Sequence, residues 1–442
     1  MPGRRLSTGS LVALPCTVVV RSSRSPEVDV IVVGAGLAGL ACARRLVEAG
    51  LAVVVLEASD AVGGRVRTDV VDGFRIDRGF QVLNPSYPAL AHTVDLARLD
   101  LHSYVAGAVV AVGARRHLVA DPIRFPRALL STLRAPVGSP LGKARLAGMA
   151  LQVARRDASA DLALPESTTV EALRARGIEA ATVERLLRPF LSGVFLEADL
   201  ATSSRFFDLV LRSFVKGSPG LPAAGMQALP EEVARPLPSN VVRLSTPAVA
   251  VAPATVTLSD GTRLTGRCVV VATDPGRAAD LLPGFAAPRM RAVTTWYHTT
   301  PGVAGRDLLG GHPLLVVDGE HRGPVVNSSV LSTVAPSYAP VGSTLLSSSV
   351  LGTTGAAADE SAVLAHLAIL YGRPTRDWQL VARVEVPHAL PAMPPPLVLR
   401  QPVRLAEQIY VCGDHRDTGS IQGALVSGRR AATAVLTDLG QA

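Results

Sequence analysis

The chain has 442 residues, 48% of them hydrophobic, with 39 Gly and 33 Pro, a globular composition long enough for two or three domains. Its net charge of +8 comes almost wholly from scattered Arg, Lys occurring only at Lys143 and Lys216. Aromatics at 4% leave little for stacking on bases, so nucleic acid is not expected as a partner, and no apolar run reaches the roughly 18 residues of a membrane span.

Residues 1–27 read as a disordered extension or an upstream mis-assigned start. Arg4 and Arg5 before the apolar stretch Leu11 to Val20 resemble a twin-arginine signal, but Pro15 interrupts it and RSSRSPE replaces a small-residue cleavage site. Cys16, Cys42, Cys268 and Cys412 are far apart and form no C-x-x-C pair. Neither a metal site nor a disulfide framework is expected; thiols buried in a reducing cytoplasm are.

The first structured unit runs from Val28 to Ala58. Val30 to Val33 is the β-branched run of a strand buried on both faces. Gly34, Gly36 and Gly39 follow as G-x-G-x-x-G, with Ala35, Leu37 and Ala38 between them, then a helix that Gly50 ends. A second strand, Ala52 to Leu56, closes at Glu57 and Ala58. Gly34 permits a tight turn, Gly36 admits a pyrophosphate and Gly39 lets helix pack on strand. The helix N-terminus offers N–H groups to phosphate and Glu57 can accept from ribose hydroxyls.

Gly63, Gly64, Arg65 and Thr68 then form GGR-x-x-T, followed by Asp77 and Gly79 as D-x-G, with Phe80 next. Two glycines admit a close backbone and an arginine can neutralise phosphate. Here the chain resembles the flavin-containing amine oxidase superfamily, on its protoporphyrinogen oxidase and phytoene desaturase-like side. Near the other terminus, Ile409 to Cys412 reads as a strand, Gly413-Asp414 as a turn and Ser420 onward as a helix. This is similar to the superfamily's C-terminal flavin motif, and implies flavin contacts from Gly413, Asp414, Ser420, Ile421, Gln422 and Ala424. Between them, Val241 to Val251, Thr255 to Leu258, an Asp260-Gly261 turn and Arg263 to Ala272 read as a β-meander, where the resemblance puts adenine against the backbone at Ala248.

The expected fold is α/β: a Rossmann-type FAD-binding domain of discontinuous segments, 28–84, 217–285 and 404–442, plus a mixed α+β substrate domain of 85–216 and 286–403. Thr168 with Glu171 makes a capping box, Gly177 a stop and Phe206 to Phe214 a helix; Arg291 to Thr299 and Val326 to Val334 read as strands.

The resemblance implies noncovalent FAD, because SIQGAL stands where some members carry a flavin-linking cysteine. Many true amine oxidases place a lysine on a substrate-domain strand; here that region reads MRAVTTWYHTTP, and neither Lys143 nor Lys216 is expected to replace it. The expected chemistry is oxidation of a small apolar organic substrate at C–C or C–N, with O2, a quinone or another carrier as acceptor. A flavin-dependent isomerase of a lipophilic substrate and a non-enzymatic FAD-bearing partner are the alternatives. Pocket candidates are Gln81, Tyr297 and His298, read against backbone bonding, core packing and solvent exposure respectively. No metal is expected. Finally, 121–156 carries seven bases against one acid, with Leu129, Leu130, Leu133, Leu146, Met149 and Val153 at near-helical spacing. It reads either as a solvated helical face or as a peripheral contact with the inner face of a membrane.

Overall fold

Val30–Val33 is buried along its whole length: parallel strands flank it on both sides, Val53–Leu56 and Cys268–Val271, each in one-to-one register, and its two faces pack in separate apolar clusters, Val30 and Val32 in one and Ile31 and Val33 in the other. The computed structural model describes residues 28–157, 165–353 and 359–441; the expectations for 1–27, Cys16 among them, lie outside the described residues. The protein is α/β. Its first sheet has six strands in the order Arg404–Ala406, Ile409–Val411, Cys268–Val271, Val30–Val33, Val53–Leu56 and Val242–Arg243, parallel except for the first pair.

The helices Leu37–Glu48 and Ile421–Asp438 share one apolar cluster with this sheet. They meet closely: a Cβ on Gly428 would lie 2.1 Å from the Ala38 carbonyl oxygen. Each Val or Leu buried there contributes about 1.5–3 kcal/mol. A small antiparallel meander, Ala248–Ala252, Thr255–Leu258 and Arg263–Thr265, shares a second cluster with alternate residues of the same sheet, Ile31 and Val33 among them.

The meander is shorter than the sequence suggests. The segment 241–251 is two strands, because Thr246 N–H donates to the Glu57 carbonyl and Ser245 N–H to that of Ser59, with Ser245 left-handed at φ +50°. The chain thereby leaves the parallel sheet after Arg243. The segment 263–272 divides in the same way, its second half returning to the parallel sheet. Alternation within a run cannot show which sheet each half joins.

A seven-stranded sheet holds the second layer, in the order Gln379–Pro391, Met290–Thr299, Leu345–Leu351, Val325–Val330, Leu315–Asp318, Gly107–Val112 and Arg115–Ala120. The Val326 to Val334 expectation is corrected at its end: the strand stops at Val330 and Leu331–Val334 is helical. The helices Leu129–Arg134, Pro140–Arg155, Thr169–Ala175, Arg188–Phe195 and Ser204–Lys216 lie between 121 and 216. The Thr168–Glu171 capping box is present, and Gly177 has φ +71°.

Candidate functional site

The turn after the first strand sets the site. Gly34 has φ +104°, and a Cβ there would lie 2.8 Å from the Ala272 carbonyl oxygen, so only glycine suits it. Gly36 then caps the Leu37–Glu48 helix with no side-chain partner and no acid in the first turn. The open N–H groups and positive end of that helix are left for an anion. A Cβ at Gly36 would meet nothing within 4 Å, whereas one at Gly39 would lie 2.0 Å from the Gly34 carbonyl oxygen. Gly36 therefore borders open space and Gly39 permits packing.

Glu57 is 9% exposed. One of its oxygens accepts from Ala35 N–H at 2.7 Å, the other from the Ser59 hydroxyl at 2.7 Å and its N–H at 2.9 Å. The carboxylate thus braces the glycine turn while still lining the cavity. Gly63 N–H donates to the Ala35 carbonyl, which brings GGR beside the turn. Arg65 reaches the far terminus, donating to Asp414 Oδ1 at 2.6 Å and to the Ala389 carbonyl at 2.9 Å. Its charge, which sequence reasoning assigns to phosphate, is matched by a carboxylate of the protein.

These parts line one cavity of about 1760 Å³, larger than the roughly 300–1,000 Å³ of a typical ligand pocket. Gly34, Gly36, Leu37, Ala38, Glu57, Ala58, Gly63, Gly64, Arg65, Gly79, Phe80, Gln81, Ala248, Gly413, Asp414, Ser420, Ile421, Gln422 and Ala424 all line it. Ala35 and Gly39 lie behind its wall. Several lining groups also brace the protein: Gln422 Oε1 accepts from Ala89 N–H, the Ala248 carbonyl accepts from Arg277, and Gln81 Nε2 donates to the Arg65 and Arg78 carbonyls.

Three expectations are corrected. Thr68 does not line the cavity; its hydroxyl donates to Asp77 Oδ1 at 2.5 Å and accepts from Gln227 N–H. Asp77, also bonded by Met226 N–H and the Tyr338 hydroxyl, is pushed up to about 6 by burial. Tyr297 is wholly buried and donates to the Asp77 carbonyl at 2.7 Å, so it braces the D-x-G element from the core. His298 neither faces solvent nor lines the cavity; it is 0% exposed, stacks on Trp296 and is lowered to about 4 by burial. Period-two alternation places residues on a face but does not say which neighbours cover it.

The cavity continues beyond the glycine cradle into a chamber of Leu146, Leu187, Phe190, Val194, Phe206 and Leu209. Lys143 and Lys216 both border it, which their positions in the sequence did not suggest. Lys143 Nζ is tied to the Leu133 and Ala135 carbonyls at 2.8 and 2.6 Å. Sequence reasoning also missed Asn327 and Ser349, which line the cavity from the seven-stranded sheet. Their Ser-rich strands carried no motif to mark them.

A model of the family "Flavin containing amine oxidoreductase" matches residues 37–436. The chain belongs to that family. Its FAD is the group that the cradle suits: an uncapped helix N-terminus, a glycine open to the cavity and an acid at the end of the second strand. Putrescine oxidase from Kocuria rosea is 48% identical over 83 residues, 19% of this chain and 17% of that protein. Polyamine oxidase 4 from Oryza sativa subsp. japonica is 47% identical over 79 residues, 18% and 15% of the two chains. These alignments span under a fifth of the curated relatives. Over nearly whole chains the fold matches a protoporphyrinogen oxidase-like protein from Exiguobacterium sp. 255-15, with TM-score 0.68 at 19% identity, covering 94% of this chain and 99% of that one. A reduced UDP-galactopyranose mutase matches with TM-score 0.66 at 16% identity, covering 94% and 96%. Among the described residues no group of three or more His, Cys, Asp or Glu could hold a metal.

Proposed function

We propose that this member of the family is a flavin-dependent oxidoreductase that oxidises an apolar organic substrate at a C–C or C–N bond. The carrying observation is the chamber itself: one cavity joins the glycine cradle to a wall of Leu, Val and Phe side chains. Bound FAD would supply the redox chemistry by taking hydride at N5, with O2, a quinone or another carrier receiving the electrons.

The protein's part is to hold and to exclude water. The starts of the helices Leu37–Glu48 and Ile421–Asp438 border the cavity and would hold negative charge, on phosphate or on the reduced ring. Arg65, Asp414 and Gln81 fix the loops between them. None of the three described cysteines lines the cavity, and burial pushes Cys412 up to about 12, which supports a noncovalent cofactor. The Met290–Thr299 strand brings no lysine, which favours desaturase- or dehydrogenase-type chemistry over oxidation of simple amines.

The test is anaerobic mixing of the yellow holoprotein with a panel of amines and of apolar alkenes and alcohols, following flavin absorbance. Bleaching by an apolar compound while putrescine and spermidine leave the flavin oxidised is expected. Rapid bleaching by a simple amine would overturn the reading.

A membrane is also proposed as the source of that substrate. Ile123, Leu130 and Leu141 are 75%, 62% and 63% exposed, in the segment that carries Arg124, Arg127, Arg134, Lys143 and Arg145. Ile123, Leu129, Leu133 and Leu151 of the same segment line the cavity. An apolar tip ringed by bases suits an anionic bilayer surface. Among the described residues no helix is long and apolar enough to cross a membrane.

A further inference from the structure

We infer that Asn327 and Ser349 form the polar recognition point of the chamber, and that they hold a neutral oxygen of the substrate, a hydroxyl or a carbonyl. This rests on the proposal that the chamber is where the substrate binds.

The two residues are directly opposite each other on adjacent antiparallel strands, and Ser349 is opposite Thr295 on the next strand. Residues so paired project from the same face of a sheet. Thr295 is already engaged, its hydroxyl accepting from Phe80 N–H beside the D-x-G element at 3.2 Å. Asn327 and Ser349 are 4% and 2% exposed, both line the cavity, and neither side chain has a hydrogen-bond partner among the described residues. Their polar atoms are open to the chamber and not sealed in protein, so an apolar ligand would desolvate a carboxamide and a hydroxyl at a cost that a ligand oxygen relieves.

The helix packed on this strand makes room for Asn327. Gly193 lies inside the Arg188–Phe195 helix and borders the same cavity, and a Cβ there would sit 1.8 Å from Asn327 Nδ2. Glycine inside a helix lowers its stability, so this close approach gives it a reason.

The chemistry of the pair sets the ligand class. The carboxamide can donate and accept, and the hydroxyl can do either. Among the lining residues of the Met290–Thr299, Val325–Val330 and Leu345–Leu351 strands there is no carboxylate. An ammonium group at this point would meet no carboxylate on these strands, the lining carboxylates Glu57, Asp121, Asp274, Asp414 and Asp417 standing on other elements, whereas a hydroxyl or carbonyl would satisfy both side chains.

The probes are 1-octanol, 2-octanone, octane and octylamine, titrated into holoprotein and followed by calorimetry and by the shift in flavin absorbance. Octanol and octanone should bind about tenfold more tightly than octane, and octylamine no more tightly than octane. In N327L and in S349A that advantage should fall severalfold, with FAD content unchanged. G193A should have the same effect by displacing the carboxamide, and N327A is the second arm where N327L fails to fold. Equal binding of octane and octanol to the wild type, or an advantage that survives N327L or N327A, overturns the inference and leaves the apolar chamber standing. Failure of all four probes to bind would remove the chamber reading and this inference with it.

Discussion

Arg65 Nη2 donates to Asp414 Oδ1 at 2.6 Å across 349 residues of sequence, tying the GGR segment to the turn before the last helix. The Asp414 side chain is 5% exposed and that of Arg65 is 31% exposed. Removing Arg65 strands a buried carboxylate, while solvent screens part of the attraction. R65A should lower stability by about 1–2 kcal/mol and weaken FAD retention. The R65A/D414A double variant should cost less than the sum of the singles. Denaturant unfolding and the ratio of flavin to protein absorbance measure both; strict additivity would show the pair to be uncoupled.

Gly36 and Gly39 stand three residues apart and should fail differently. Gly36 has extended backbone, φ −71° and ψ 173°, and its Cβ direction is open. G36V should therefore give folded protein with little FAD. G39V would press a side chain on the Gly34 carbonyl and should lose about 3 kcal/mol or not fold. Thermal unfolding together with flavin content separates the two outcomes.

Asp77 gives a pH signature. Its carboxyl is raised from 3.8 to about 6 because burial outweighs the hydrogen bonds from Thr68, Met226 and Tyr338. The native state therefore holds its proton more tightly than the unfolded chain does. This group's stabilising contribution is full below pH 3.8 and is lost as pH rises through about 6. The loss is about 2–3 kcal/mol. Subtracting the stability-versus-pH curve of D77N from that of the wild type should show this fall; a flat difference would place the carboxyl in a more polar setting.

The apolar tip on 121–156 predicts salt-sensitive binding to membranes. Phosphatidylserine vesicles should sediment the protein at low ionic strength, each base near the surface adding about 1 kcal/mol. Replacing Arg124, Arg127 and Arg134 by Ala should weaken this, and so should I123D with L130D. Vesicle binding that ignores both sets of changes, or no binding at all, would exclude the segment as the contact.

Acid precipitation should release the flavin into the supernatant, because the described thiols at Cys42, Cys268 and Cys412 are buried outside the cavity. Colour retained by the denatured chain would contradict the noncovalent cofactor.

The sequence by itself determined the parts whose physics is local. Gly34 answers to a turn and Gly39 to a contact within one βαβ unit, while Gly36 opens the start of its helix to the cavity. The capping box at Thr168 closes within one turn, and burial on both faces leaves its mark in the Val30–Val33 run. What it left open depends on partners far along the chain. Tyr297 turns toward Asp77 because strands 220 residues apart pack together. His298, read as a pocket candidate or a solvent-facing residue, is instead covered by its Trp296 stack and the surrounding elements. The Asn327–Ser349 pair exists only in the register of two strands, and the approach of Gly193 exists only in their packing against a helix. Local conformational preference acts over a few residues and is legible in order. Burial and hydrogen-bond partnership are set by which surfaces meet, and only the tertiary structure decides that.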